Sequence, residues 1–346
     1  MYSETDLEAA VAAGVLSPGV AEAFRNHVAA GRAAPLVDDE SFRLLTGFND
    51  IFVSIALALL LTALAWIGGD TSAALAGALV AGASWGLAEY FTRRRRMALP
   101  SILLLLTFAG GVAATLIGAM VDIDPQHMTE REAGLIGAGI GLVTALATWG
   151  HWIRFRVPIT AAAGAVAVVA IAVGLALAIN PAIEEQVTWV VFAGGLATFA
   201  LAMWWDMSDR TRQTRRSDVA FWLHLAAAPM IAHPIFHQLG VLDGTIGTVQ
   251  AAVVIALYIF FALVSLTVDR RALLVSSLAY VLYAMSALFE KFGAVSLSVA
   301  LTALVIGSAL LMLSAFWHPV RRMVVGTLPG ELREKLPVLD RPAVAA

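Results

Sequence analysis

The stretch FNDIFVSIALALLLTALAWI, residues 48–67, decides the class of fold to which this chain belongs. It is predominantly apolar over about the 20 residues that an α-helix needs to cross the hydrocarbon core of a bilayer. Nine further stretches of similar length and character follow it along the chain. Because only helices satisfy their own backbone hydrogen bonds in such runs, the sequence predicts an all-α polytopic membrane protein with ten transmembrane helices.

The predicted spans are joined by short links, which favours tight antiparallel hairpins. They cover residues 48–67, 72–91, 99–120, 133–149, 157–178, 188–205, 219–239, 248–268, 272–289 and 296–317. The chain is therefore divided into a cytoplasmic helical hairpin and linker (residues 1–46), a ten-helix membrane domain (47–318) and a cytoplasmic tail (319–346). In the fourth span Gly134, Gly137, Gly139 and Gly141 are predicted to permit close helix packing.

The composition excludes several other classes of protein. Hydrophobic residues make up 60% of the 346 positions and charged residues only 14%, too few for two soluble domains. The absence of cysteine excludes disulfides, thiolate metal sites and iron–sulfur clusters. A formal charge of −3 argues against a nucleic-acid partner, and we predict no cofactor. The polar, acidic N-terminus has no basic region ahead of an apolar core, so it does not predict a cleaved signal peptide.

The basic residues predict the orientation. Twenty of the 22 lysine and arginine residues lie in the two terminal segments and in one set of loops, and only Arg131 and Lys291 lie in the opposite loops. Cytoplasmic loops carry such an excess of positive charge. We therefore expect both termini to be cytoplasmic and the protein to lie in a bacterial inner membrane, with the lipid bilayer as its surroundings.

Residues 4–31 are predicted to form a small helical hairpin. Gly14 suits the end of the first helix, and Ser17 and Pro18 suit the start of the second. Apolar residues from Leu7 to Val28 are spaced to form a shared seam between the two helices. A hairpin of this size buries too little surface to be stable alone. It is either a docking module for a protein partner or a lead-in to the first span.

A family resemblance rests on this N-terminal region. The stretches DLEAAVAAGVLSPGVAEAFRNHV and FRLLTGFNDIFVSIALALLLTALAWIG resemble the start of the DUF2157-type bacterial membrane proteins. The matching elements are Gly14-Val15-Leu16-Ser17 and a first span that ends in Ala65-Trp66. The resemblance covers about the first 70 residues. It implies an integral inner-membrane protein and carries no activity.

Ionisable residues inside spans are costly, and each is a functional hypothesis by default. The spans contain very few: Asp50 at the start of the first, where it suits the helix N-terminus, Glu89 near the inner end of the second, and His224, His233 and His237 in the seventh. Glu89 is also placed to pair with Arg93 four residues later on the same helix. The spans offer no acidic residue at mid-membrane of the kind that proton-coupled pumps use.

The seventh span, within DVAFWLHLAAAPMIAHPIFHQLG at residues 218–240, is the most unusual. Pro229 and Pro234 each remove a backbone donor and are expected to kink the helix. His224 lies nine residues before His233, about 13 Å away along a straight helix, so it belongs to a different site. We predict a substrate pathway that involves these residues together with His237 and Glu89. The structural alternative is that the histidines are interfacial and bond to freed carbonyls or lipid headgroups.

The same span offers a second kind of site. His233 and His237 are four residues apart and share a helix face, which permits two ligands to one metal ion near the outer surface. A third ligand would come from an outer loop, where His127, Asp122 and Asp124 are available. An outer-face metal or haem protein is therefore one possible function.

Three classes of function remain open at this point. The first is a carrier-like transporter of a small solute, with its site at the seventh helix and two five-span halves of inverted topology. The second is a non-catalytic scaffold or sensor that docks partners through the N-terminal hairpin. The third is the metal or haem protein. No nucleophile or acid pair in the spans supports an enzyme.

Overall fold

A computed structural model of the full chain describes residues 4–31, 48–122, 128–212, 214–241, 247–292 and 297–339. The chain divides into two compact units, one of residues 1–42 with 340–346 and the other of residues 43–339. All regular structure in the described residues is helical, which confirms the all-α prediction.

The helices of the larger unit follow the predicted spans closely. They are α3 (Phe48–Gly69), α4 (Ala73–Ala88), α5 (Ala98–Asp122), α6 (Glu130–Phe155), α7 (Ile159–Ile179), α8 (Val187–Ser208), α9 (Arg215–Gln238), α10 (Thr248–Val268), α11 (Ala272–Lys291), α12 (Ser298–Ala315), α13 (Trp317–Gly326) and α14 (Gly330–Arg333). The smaller unit contains α1 (Glu4–Ala12) and α2 (Pro18–Gly31), at the place of the predicted hairpin.

Among the described residues, nine helices are long and apolar enough to cross a membrane, which is compatible with a polytopic membrane protein. The second predicted span is the exception. Its α-helix, α4, has only 16 residues, but the chain continues directly into a six-residue π-helical segment, Glu89–Arg94. The wider π turns bring the predicted loop arginines into the end of the helix.

Glycines set the closest approaches between neighbouring helices. A Cβ added to Gly134 would lie 2.6 Å from the backbone nitrogen of Ala178, and one added to Gly174 would lie 2.5 Å from that of Ala138, so α6 and α7 pack backbone against backbone. The prediction for the fourth span is therefore correct for Gly134, and also for Gly141, where an added Cβ would lie 3.0 Å from the backbone nitrogen of Ile171. It is wrong for Gly137 and Gly139, where an added Cβ would meet no atom within 4 Å.

The helices α4 to α11 form four consecutive hairpins that turn at the same end, which we call the arginine-rich end after its loops. Each turn contains one non-glycine residue with a left-handed backbone: Arg96, Arg156, Arg212 and Asp269, with φ between 52° and 57°. At three of these turns the next residue is buried, namely Met97, Val157 and Arg270. At Arg156 and Asp269 the left-handed residue is the C-cap that ends the helix, and the buried residue that follows begins the turn into the next helix.

Helix α9 lies at the centre of the larger unit. Of an 18-residue stretch in α9, 56% of the residues are buried, against at most 33% in the other eight helices of similar length. One face of α9 packs with α10 and α11 around Phe236, Val254 and Val281, and its first half packs with α7 and α8 around Leu223. The helix runs without interruption through Pro229 and Pro234.

In the smaller unit Leu7 and Ala21 are buried. The predicted apolar seam is only partly correct, because Val15 and Val20 are exposed instead of packed. Val15 follows the end of α1, so it lies in the turn and not on the packed face of either helix.

Candidate functional site: helix α9 and its surroundings

Charged side chains that the sequence places in loops are buried around the first half of α9. Asp206 at the end of α8 is only 1% exposed and accepts hydrogen bonds from Arg270, with Nη2 2.6 Å from Oδ1 and Nε 3.3 Å from Oδ2. The Nε2 atom of His224 lies 2.9 Å from the same Oδ2. Arg270 also donates to the carbonyl of Ser217, so α8, α9 and the α10–α11 turn meet at one carboxylate.

A second carboxylate extends this arrangement towards the C-terminal region. Asp269 accepts a hydrogen bond of 2.8 Å from Arg212 Nη1 and one of 2.7 Å from the indole Nε1 of Trp317, and Arg321 Nε lies 3.5 Å away. Burial opposes ionisation of Asp269, but Arg212 and Arg321 outweigh it and hold the pKa of this carboxyl below its ordinary value of 3.8. Burial lowers the pKa of the Arg212 guanidinium to about 10, so it stays charged at neutral pH.

These groups form one buried charge cluster, which holds three arginines and two aspartates. The members are Asp206, Arg212, Asp269, Arg270 and Arg321. Each arginine lies within 3.5 Å of an aspartate carboxylate, which satisfies the requirement that buried charges be paired. The cluster therefore joins the ends of α8, α9, α10, α11 and α13 at the arginine-rich end.

The chain after α14 is bound to the same end. Arg321 donates from Nη2 to the carbonyl of Pro337 at 2.8 Å and from Nη1 to that of Val338 at 3.2 Å. Arg210 donates from Nε to the carbonyl of Leu336 at 2.8 Å. Part of the predicted tail is thus packed on the helices, with Arg210 and Arg321 bonded to its backbone carbonyls.

Glu89 pairs with Arg93 at 3.2 Å, as the four-residue spacing predicts. It also forms a two-pronged pair with Arg154 at the end of α6, with 2.6 Å from Nε to Oε1 and 2.9 Å from Nη2 to Oε2. These side chains are a third or more exposed. Glu89 therefore ties α4 to α6 at the surface, and it lines neither of the grooves described below.

The other predicted residues of α9 lie towards its far end. His233 Nδ1 is 2.6 Å from the hydroxyl of Tyr280 on α11, and the ring centres of His233 and His237 are 5.9 Å apart. Both histidines are exposed, whereas His224 is buried and bound to Asp206. The described residues contain no group of three potential metal ligands. Of the outer-loop ligands proposed above, His127 and Asp124 lie outside the described residues.

Two apolar grooves lie beside α9, between it and the helices α5, α6 and α7, and Val191 of α8 also lines the larger one. One has a volume of about 720 Å³ and reaches from Glu130 to Met230, and the other, of about 550 Å³, reaches from Thr144 to Trp222. The two share the lining residues Ile117, Ile140, Val166 and Ala170, so they are adjacent, and together they are called the groove. Volumes of this size are typical of small-molecule sites.

The groove has nearly the length of a bilayer core. Along α7 its lining extends from Ile159 to Leu177, which is about 27 Å at the rise of an α-helix. The hydrocarbon core of a bilayer is about 30 Å thick. Glu130 is the one carboxylate in the lining, and it lies at the end away from the arginine-rich loops.

The prolines of α9 each remove one helix hydrogen bond near this groove. A proline has no N–H to bond the carbonyl four residues earlier, so Pro229 frees the carbonyl of Leu225 and Pro234 frees that of Met230. Both Leu225 and Met230 line the groove. An apolar surface with a few polar groups at set positions is the usual design of a ligand site.

No known family model, curated protein or solved structure matches this chain. The resemblance of the first 70 residues to DUF2157-type proteins stays a prediction. Conclusions about function therefore rest on the geometry around α9.

Sequence reasoning identified α9 and its histidines and prolines, but it missed the buried charge cluster. Asp206 and Asp269 lie just beyond the predicted spans 188–205 and 248–268, so the span boundaries place them in loops. A signal was present, because acidic and basic residues alternate closely in DMSDRTRQTRRSD, residues 206–218. Such a mixed segment next to a histidine-bearing span is compatible with buried pairing as well as with a solvated loop.

Proposed function

We propose that this chain is a carrier-like membrane protein that takes a small amphiphile with one apolar chain into the groove along α9. The observation that carries this proposal is the combined length of the groove, about 27 Å along α7. An apolar chain fits its lining, and a hydroxyl or amine donor on the solute has the freed carbonyls of Leu225 and Met230 as partners.

The proposal includes ten spans, with α4 and the following π segment as the second. Both termini then lie in the cytoplasm of a bacterium, by the excess of arginine in one set of loops. The buried charge cluster would close the arginine-rich end of the bundle. A solute would enter from the bilayer between α5, α6, α7 and α9.

Matched substitutions in α6 test this function. An added Cβ has open space at both Gly137 and Gly139, but only Gly137 lines the groove. In proteoliposomes with a headgroup-labelled fluorescent lysophospholipid, we expect the wild type to speed exchange between leaflets, measured by quencher access. Gly137→Phe should return the rate to that of protein-free vesicles, while Gly139→Phe should not change it.

Two results would contradict the proposal: a wild-type rate equal to that of empty vesicles, or equal loss in both variants. Pro229→Ala provides a second arm, because it restores the N–H that bonds the carbonyl of Leu225. We expect this variant to fold and to exchange the probe more slowly. A scaffold that acts through the N-terminal hairpin would move no probe at all, so the same assay separates the two candidate functions.

A further inference from the structure

The two exposed histidines of α9 have an arrangement that the proposed carrier function does not use. His233 and His237 are one helical turn apart, and neither lines the groove. Their ring centres are 5.9 Å apart. Two imidazoles that bind one metal ion through bonds of 2.0–2.1 Å have ring centres about 5–6 Å apart, so the observed spacing needs little adjustment.

Tyr280 holds one of these rings in position. Its hydroxyl lies 2.6 Å from Nδ1 of His233, and its own ring stacks on the buried Phe236 at 4.3 Å between ring centres. With Nδ1 protonated and bonded to Tyr280, the Nε2 lone pair of His233 is free for a metal ion. Metal-binding histidines typically have their second nitrogen bonded in this way, which fixes both tautomer and orientation.

The remaining nitrogens have no competing partner among the described residues. No described side chain forms a hydrogen bond or ion pair with His237 or with Nε2 of His233. The described residues also supply no third His, Cys, Asp or Glu to the pair. Two coordination positions are thus left for water or an incoming ligand, and both histidines are exposed at the surface of the helices.

We propose that His233 and His237 form a binding site for one divalent transition-metal cation, with Tyr280 as a positioning residue. Imidazole nitrogens suit zinc, copper and nickel, whereas magnesium and calcium prefer oxygen ligands. The site lies near the end of α9 that is remote from the arginine-rich loops, and it is independent of the groove.

Zinc binding to the purified full-length protein tests the site, with a purification tag that contains no histidine. By calorimetric titration with Zn²⁺ alone, we expect one ion per chain for the wild type. His233→Ala and His237→Ala should each remove this binding. His318→Ala is the matched control, because His318 has no second histidine one turn away, and it should leave the titration unchanged.

Tyr280→Phe tests whether zinc binds to an oriented metal site or only to two surface histidines that happen to be near each other. Loss of a group that orients a metal ligand weakens binding by about 10–100-fold, so we expect a shift of at least tenfold in the zinc dissociation constant. Mg²⁺ should not compete. The proposal is overturned if zinc binding persists in the double variant His233→Ala/His237→Ala, or if the wild type binds no zinc while circular dichroism shows it to be folded.

Discussion

Asp206 shows how much a single side chain contributes to the organisation of this protein. Its carboxylate accepts from Arg270 and lies within hydrogen-bond distance of His224, so it joins residues that are 64 and 18 positions away in the chain. A buried ion pair contributes little net stability when it is complete. Removing only one partner lowers the stability strongly, because the other charge then stays buried without compensation.

We expect Asp206→Asn to destabilise the protein by about 3–5 kcal/mol, the usual effect of breaking one side of a buried pair. The free energy of unfolding can be measured by titration with SDS in mixed micelles, followed by circular dichroism. Glu89→Gln is the matched comparison, since it also removes one carboxylate from an arginine pair, but at the surface. Its effect should be clearly smaller.

The double variant Asp206→Asn/Arg270→Met tests whether the unpaired charge of Arg270 causes the destabilisation by Asp206→Asn. Because it removes both charges, it should recover part of the stability that Asp206→Asn loses. Additive losses in the double variant, or equal losses for Asp206→Asn and Glu89→Gln, would show that the charge pair is not the reason.

At the scale of residues, the sequence could predict only local pairs. The contact between Glu89 and Arg93 follows from a spacing of four on one helix, and it is present. The contact between Glu89 and Arg154 depends on which helices are neighbours, and no local pattern contains that information. His224 stood out as an ionisable residue in a span, but its partner Asp206 is on another helix and became visible only in the folded chain.

At the scale of elements, glycine determines how closely α6 and α7 approach. Gly134 faces Ala178 and Gly174 across the hairpin, where an added Cβ would lie 2.6 Å from the nitrogen of Ala178 and 2.8 Å from the carbonyl oxygen of Gly174. These are backbone atoms, so they cannot move aside as the end of a side chain can. The same helix has open space at Gly139.

We therefore expect Gly134→Ala to destabilise the protein by about 1–3 kcal/mol, as overpacking of a close contact does. Gly139→Ala should leave stability unchanged or raise it slightly, because alanine is the better helix former. Thermal unfolding of the two variants in the same detergent measures the difference. Equal melting temperatures would mean that α6 and α7 separate easily and that the close approach is not required.

The sequence predicted which segments form helices better than it predicted the local helix geometry. Long apolar runs locate α3 and α5 to α12 because length and polarity are sufficient for that purpose. The π segment after α4 was not predictable, since nothing in EYFTRR distinguishes a wide turn from a loop. The uninterrupted course of α9 through Pro229 and Pro234 depends on the neighbours that surround it, and burial of α9 exceeds that of every other long helix described.

At the scale of the whole molecule, orientation in the membrane is the property on which the proposed function most depends. The arginine-rich turns all lie at one end of the hairpins from α4 to α11, which is the pattern that positive residues give to a cytoplasmic side. The second span is the weakest point of the ten-span arrangement, because α4 alone has 16 residues.

The absence of cysteine permits a direct test with single-cysteine variants. Thr71→Cys, Arg94→Cys and Thr327→Cys lie at exposed positions before α4, after it and after α13. With a membrane-impermeant maleimide on intact bacterial cells, we expect labelling only at residue 71. The other two positions should react only after permeabilisation, because the excess of arginine in these loops and the tail predicts a cytoplasmic side.

The pair at residues 71 and 94 decides whether α4 and the π segment cross the bilayer. Opposite accessibility requires an odd number of crossings between them, and only α4 and the π segment lie there. Equal accessibility would leave nine spans and would place every later loop on the other side, so arginine-rich turns would then face outwards. Residue 327 checks this independently, because it must share the side of residue 94 if eight spans separate them.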